Sequence, residues 1–227
     1  GFEQEYFIRD EHNKILGWPS LGNPKPQGEY YCGVGGKNVR GRKLAENHLK
    51  TCLSLGIDLT GINAEVALGQ WEYQCFAKDT LKACDDLWIS RYILSRLAEE
   101  YDWSIDIQPK PVLGDWNGSG CHTNFSFKLM RDNWSRRKME NLMVRFEKNH
   151  NKHIAEYGEE NAKRLTGEHE TQHIEKFTWG IGDRGSSIRV PISVENNNWC
   201  GYVEDRRPAS NCDPYAVARL IIETSTE

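Results

Sequence analysis

The sequence predicts an α+β fold, a single domain in which strands and long helices are mixed throughout with no repeat, low-complexity segment or linker between them. Three observations carry this. Residues 79–102 and 133–156 place apolar side chains at helical spacing: Leu81, Cys84, Leu87, Trp88, Tyr92, Leu94 and Leu97 in the first, Met139, Leu142, Met143, Phe146, His150 and Ile154 in the second. Residues 2–8, 57–66 and 70–76 are rich in aromatic and β-branched residues, as strands are. The strands also carry polar pairs while the helices carry apolar stripes, which predicts a sheet with one functional face and one face covered by helices.

In order along the chain, the first strand ends at a polar turn, Asp10-Glu11-His12-Asn13-Lys14. Residues 17–37 are dense in Gly and Pro and read as a long ordered loop. Residues 38–55 show helical spacing through Leu44, Ala45, His48, Leu49, Cys52 and Leu53, with Gly56 as a C-terminal stop. The two strands 57–66 and 70–76 follow, then the helix 79–102 and a short strand 104–108 closed by Pro109 and Pro111. Another strand is predicted at 121–128, and the second long helix at 133–156. Short strands at 187–190 and 202–204 and a final helix from about Pro214 to Thr224 complete the chain.

With 227 residues the chain can bury a sizeable core, and 38% hydrophobic and 27% charged residues are ordinary for a soluble domain. A net charge of -4 argues against nucleic acid as the main partner. No apolar run reaches membrane-spanning length. Seven dispersed cysteines without a CxxC pair fit neither a zinc ribbon nor a disulfide scaffold, so reduced thiols in a cytoplasmic setting are expected. The eight tryptophans suit core packing, although Trp71, Trp88, Trp103, Trp116 and Trp179 lie in or beside polar motifs and could wall a water-excluding pocket.

Acidic residues recur inside these strand-like surroundings. Glu3 and Glu5 are one residue apart on a strand and therefore share a face. Glu65, Glu72 and Glu204 each sit in a similar apolar context. Singly, each reads as a salt bridge or an edge charge. Together they are costly to bury without cations, and divalent metal is the economical explanation. His122 follows the glycine-rich run Gly118-Ser119-Gly120, and one imidazole among oxygens permits both magnesium and manganese. Arg164, Arg184, Arg189, Arg206 and Arg207 lie near acidic or glycine-rich strings, as a phosphate-handling site needs, since guanidinium forks onto phosphate and carboxylate oxygens.

Six strings, GWPSLGNPKPQGEYYCGVG, INAEVALGQWEYQ, PKPVLGDWNGSGCHTNFS, AKRLTGEHET, DRGSSIRVP and YVEDRRPASNCDPY, resemble in order and detail the catalytic domain of eukaryotic-type glutamine synthetases, over residues 2 to about 223. The resemblance implies a curved antiparallel sheet carrying the metal site, with helices on its outer face. It implies ATP-dependent ligation of ammonia to glutamate through γ-glutamyl phosphate, with two or more Mg2+ or Mn2+ ions. By motif, Glu5, Glu65 and Glu72 resemble the ligands of one metal, and Glu3, His122 and Glu204 those of a second. Asn117, Gly118, Arg164 and Arg206 resemble glutamate-binding residues. Glu72, Asn124, Ser126, Arg189 and Tyr202 resemble ATP contacts, while Glu170 and Arg184 resemble the flap carboxylate and the arginine of phosphoryl transfer. Two departures stand out: Ile192 occupies the place of a common arginine, and Asp183 that of a common asparagine.

The resemblance also implies a homo-oligomer of stacked rings, a decamer, with each site shared with a neighbour's N-terminal domain. That small β-grasp domain has no counterpart in residues 1–227, and a chain opening inside a catalytic strand is expected to lack its beginning. Two alternatives to the ammonia ligase are a γ-glutamyl-amine or polyamine ligase of the same superfamily and a non-catalytic structural homologue.

Overall fold

The computed structural model describes residues Gly1–Glu227, which divide into two compact units, Gly1–Ser119 and Gly120–Glu227. In the first unit β1 (Phe2–Arg9) pairs antiparallel with β3 (Gln70–Cys75), and β2 (Leu59–Ala64) pairs with the other edge of β3. β4 (Ser104–Asp106) joins the end of β1, where Arg9 meets Asp106 at 2.7 Å. The β1–β3 register sets Glu5 opposite Glu72 and Glu3 opposite Gln74. A shift of one residue would turn these side chains to the other face, so the buried aromatic set Phe2, Tyr6, Trp71 and Tyr73 helps fix the alignment of the carboxylates.

Two helices, α1 (Arg42–Ser54) and α2 (Thr80–Glu99), pack on each other and on these strands. The Asp79 carboxylate caps α2 by accepting the Lys82 N–H at 3.0 Å. The buried face of α2 is Ala83, Cys84, Leu87, Ile93 and Leu94; Leu81, Trp88 and Tyr92, part of the stripe expected from the sequence, are instead exposed. A helical stripe wider than the surface it packs against leaves its margins in solvent. A further cluster of Phe7, Ile15, Ala67 and Trp116, lined by Trp18 and Val112, anchors the turn after β1 and the loop before Asn117. Trp18 stacks on Trp116 with ring centroids 4.5 Å apart.

In the second unit β5 (Cys121–Phe125) pairs antiparallel with β8 (Val203–Asp205), which pairs antiparallel with β7 (Ile188–Val190). β6 (Trp179–Ile181) runs parallel to β7, so the strands form mixed rather than purely antiparallel pairings. Residues 182–187 carry the chain back along the sheet, setting Trp179 against Ile188 and Ile181 against Val190, where a hairpin would have reversed it.

The helix expected over 133–156 is broken. After a short α3 (Lys128–Asp132), α4 (Arg136–Lys148) and α5 (His150–Ile154) meet at Asn149. The Arg145 carbonyl accepts both the Asn149 N–H at 3.1 Å and the Asn149 side-chain amide at 3.0 Å. A short 3-10 turn (Asn161–Lys163), α6 (Ile192–Asn196) and α7 (Pro214–Thr226) complete the unit. Met139, Leu142 and Phe146 of α4 and Val217, Leu220 and Ile221 of α7 are buried in its core. All seven cysteines are free, and Cys32 alone among them is exposed.

Candidate metal and phosphate site

The first unit brings Glu5, Glu65 and Glu72 together: one carboxylate oxygen of each lies within 4.8 Å of the others, and all three residues are buried. The strand pairing dictates this, with Glu5 and Glu72 opposite each other and Glu65 just past the end of β2. The Glu72 carboxyl is pushed well above the ordinary range, first by burial and then by the charges of Glu5, Glu65 and Glu3. Three hard oxygen donors held close against mutual repulsion suit a divalent cation of the magnesium or calcium kind.

Neutral amides hold each carboxylate. Asn63 Nδ2 donates to Glu65 Oε1 at 3.0 Å, Gln74 Nε2 donates to Glu72 Oε1 and to Asn63 Oδ1, and Gln70 Nε2 donates to Glu5 Oε2 at 3.2 Å. Amide donors orient a carboxylate without cancelling its charge, which leaves the charge available to a cation. Sequence reasoning did not assign these three residues. A signal was present, because Gln70, Glu72 and Gln74 alternate along one strand and share a face.

The second unit builds a site of different character around Glu204, which is fully buried. Its carboxylate forms ion pairs with Arg189 and, at 2.8 Å, with Arg206, and His122 Nδ1 stands 3.4 Å from Oε1. Strand registers align Arg189 and Asn124 with Glu204 from either side. Two guanidiniums on one carboxylate leave the locality positive, suited to phosphate oxygens. Gly120 makes room here: a Cβ would stand 3.0 Å from His122 Nε2 and 3.2 Å from Arg164 Nη1.

Beneath this row lies a buried network, and it claims Arg207: expected from the sequence among the phosphate-handling arginines, that side chain is instead fully buried against Asp205. Asp205 and Arg207 pair through two hydrogen bonds, of 2.9 and 2.7 Å, and Tyr157 donates to Asp205 at 2.9 Å. Nδ1 of His150 and of His153 face the Arg207 guanidinium at 3.1 and 3.2 Å. Burial works to raise the Asp205 carboxyl, yet Arg207 holds it below the usual carboxylate range. Burial, then Arg207, pushes His153 down to about 3, so the imidazole is neutral. The network holds the end of β8, with Arg206 between its members Asp205 and Arg207 and Glu204 next to Asp205.

The string 164–171 is also in the second unit. Glu170 is exposed and, like His169, has a positive φ, 59° and 52° respectively, a left-handed geometry that ordinary side chains rarely adopt. Its carboxylate lies 3.7 Å from Arg184 Nη1, and its carbonyl accepts from Arg206 Nη2 at 3.3 Å. Arg164 is buried, its Nη2 donating to the carbonyls of Arg206, Arg207 and Pro208 at 2.8 to 3.0 Å. Ser126 Oγ donates to the Gly201 carbonyl at 2.6 Å, beside Tyr202, whose ring is half exposed. In the first unit, Asn117 Oδ1 accepts from Gln27 and the Gly118 carbonyl accepts from Gln70 at 3.0 Å. Glu3 remains on β1 opposite Gln74. Ile192, exposed at the start of α6, brings no charge.

The model of the glutamine synthetase catalytic domain matches residues 1–150. The chain belongs to the glutamine synthetase family. A glutamine synthetase of Schizosaccharomyces pombe is 51% identical over 100% of this chain and 63% of its own length. One of Bradyrhizobium diazoefficiens is 53% identical over 99% of this chain and 66% of its own. The chain thus spans roughly three-fifths of the curated relatives it matches. A Plasmodium falciparum glutamine synthetase solved by cryo-electron microscopy superposes with a TM-score of 0.78, covering 99% of this chain and 50% of that one, at 21% identity; it shares the fold. The mixed sheet with helices is that of the family's catalytic domain.

Proposed function

We propose that the protein ligates ammonia to glutamate at the expense of ATP, through γ-glutamyl phosphate. The observation that carries this is the buried carboxylate triad Glu5–Glu65–Glu72 in a chain of the glutamine synthetase family. The donor set fits a divalent cation: all ligand atoms are hard oxygens, and the repulsion that raises Glu72 would be relieved by positive charge. Glu5, Glu65 and Glu72 would hold one Mg2+ or Mn2+, and His122 and Glu204 would serve a second. When bound, such ions supply charge neutralisation for phosphoryl transfer.

The remaining roles fall to the chain's own groups. Arg189 and Arg184 bind and orient phosphate oxygens, their guanidinium forks matched to them, and Arg206 serves glutamate. Asn117, Gly118 and Arg164 hold glutamate, and Asn124, Ser126 and Tyr202 hold the nucleotide. Glu170 at the flap accepts a proton from ammonium and excludes water, the competing nucleophile. Its left-handed backbone and exposed position support a segment that closes over substrate.

The assembly is a homo-oligomer, with a decamer of stacked rings and a site completed by a neighbour's N-terminal domain as the finer reading, and the setting is cytoplasmic. ATP- and glutamate-dependent phosphate release by the intact protein, with ammonia compared against hydroxylamine and small amines, tests the reaction. Release with ammonia supports the ligase. Release with amines alone would move the assignment to a γ-glutamyl-amine ligase, and none with either would leave a structural homologue.

A further inference from the structure

Gln70 is 1% exposed, and its side chain makes three hydrogen bonds within the first unit. Nε2 donates to Glu5 Oε2 at 3.2 Å and to the main-chain carbonyl of Gly118 at 3.0 Å, and Oε1 accepts the Ala67 N–H at 3.3 Å. A primary amide has two N–H groups in one plane, so a single group serves both acceptors and transmits the position of one to the other.

This link is one of a few that hold residues 117–118, with Gln27 donating to the Asn117 side chain at 3.2 Å. On one side Trp116 is buried against Phe7, Ile15 and Ala67, with the Lys110 ammonium on its carbonyl. On the other the Ser119 N–H donates to the Pro109 carbonyl at 2.9 Å. Between these anchors Asn117 and Gly118 are half-buried, and Gln70 reaches the peptide joining Gly118 to Ser119. Gln74 offers an internal contrast: its amide donates to Glu72 and Asn63, both in the carboxylate group.

We propose that Gln70 is a positioning residue that couples cation binding at Glu5 to glutamate binding at residues 117–118. This rests on the ligase reading above, in which Glu5 is a cation ligand and Asn117 and Gly118 hold the substrate. Fixing the Glu5 carboxylate fixes the Gln70 amide, and through it the Gly118 carbonyl; glutamate on the loop acts back on Glu5 by the same bond. Such coupling is reciprocal by thermodynamic necessity.

Calorimetric titration of Mg2+ or Mn2+ into the intact protein, with and without glutamate, tests it on wild type, Gln70→Met and Gln74→Met. In wild type glutamate tightens the cation. Gln70→Met should reduce that tightening about fivefold, the share one hydrogen bond carries, and the KM for glutamate should lose its dependence on cation concentration while kcat changes less. Gln74→Met should weaken the cation with the tightening unchanged. A folded Gln70→Met with wild-type coupling, or an equal loss in Gln74→Met, would overturn the proposal. Should Gln70→Met not fold, Gln70→Asn, which keeps the amide but is one methylene too short to reach both acceptors, decides by the same criteria. Absence of any cation uptake by wild type would instead overturn the ligase reading beneath it.

Discussion

Replacing Glu72 with Gln should stabilise the cation-free protein while crippling its response to cations. The three carboxylates offer oxygens within 4.8 Å of one another, and at an effective dielectric constant of about 20 each such pair would cost about 3 kcal/mol if both members were charged. Glu72→Gln removes two of the three pairs and leaves Glu5–Glu65. Wild type already escapes part of the cost, because the Glu72 carboxyl is held well above its ordinary range and takes up a proton more readily. The net gain in chelator is therefore ~1–3 kcal/mol. The substituted amide keeps an oxygen to accept from Gln74, so no buried donor is orphaned. In saturating Mg2+ the order should reverse: an ion at 100 times its Kd adds about 2.7 kcal/mol to wild type, and a variant lacking one ligand recovers much less. Urea unfolding in EDTA and in Mg2+ reads both limbs. A Glu72→Gln protein less stable than wild type in EDTA, or equally stabilised by Mg2+, would refute the reasoning that these side chains form a strained cation site.

Four further outcomes follow. Asp205→Asn leaves the fully buried Arg207 without its counter-charge and should cost about 3–5 kcal/mol, seen as a large fall in Tm. Glu204→Gln should abolish phosphate release, and unchanged turnover would remove Glu204 from the site. Gly120→Ala presses a methyl group toward His122 and Arg164 and should lower kcat/KM by at least about tenfold at nearly unchanged Tm, as displacement of site groups does. Acid sensitivity should come from buried neutral histidines. Burial depresses His153 to about 3 and His48 to about 4 from 6.5, so their contribution is complete above pH 6.5 and is lost as pH falls toward those values, where only the unfolded chain takes up the proton. Each should add a slope of about 1.4 kcal/mol per pH unit in that window, and His48→Gln should remove its share in urea titrations at pH 6.5 and 5.

The sequence by itself determined the elements that local pattern dictates. Helical spacing marked α1 and α2, aromatic and β-branched runs marked β1 to β3, and the collinear strings marked the family and its acidic residues. What it could not supply were relations between distant segments. Leu81, Trp88 and Tyr92 look like core by spacing, and only the extent of the packing surface leaves them in solvent. The parallel pairing of β6 with β7 depends on the path of residues 182–187, and the junction of α4 and α5 falls at Asn149, whose side chain and N–H share one carbonyl. For the site, one strand's period of two was enough to place Glu3 with Glu5, but not to bring Glu5 to Glu65 and Glu72, which strand register decides. Spacing put Gln70 and Gln74 on the face of Glu72, but which carboxylate each amide holds, and the pairing of Asp205 with Arg207, were hidden for the same physical reason. Their meaning lies in hydrogen bonds, and a hydrogen bond is a matter of a few tenths of an ångström that composition and spacing do not encode.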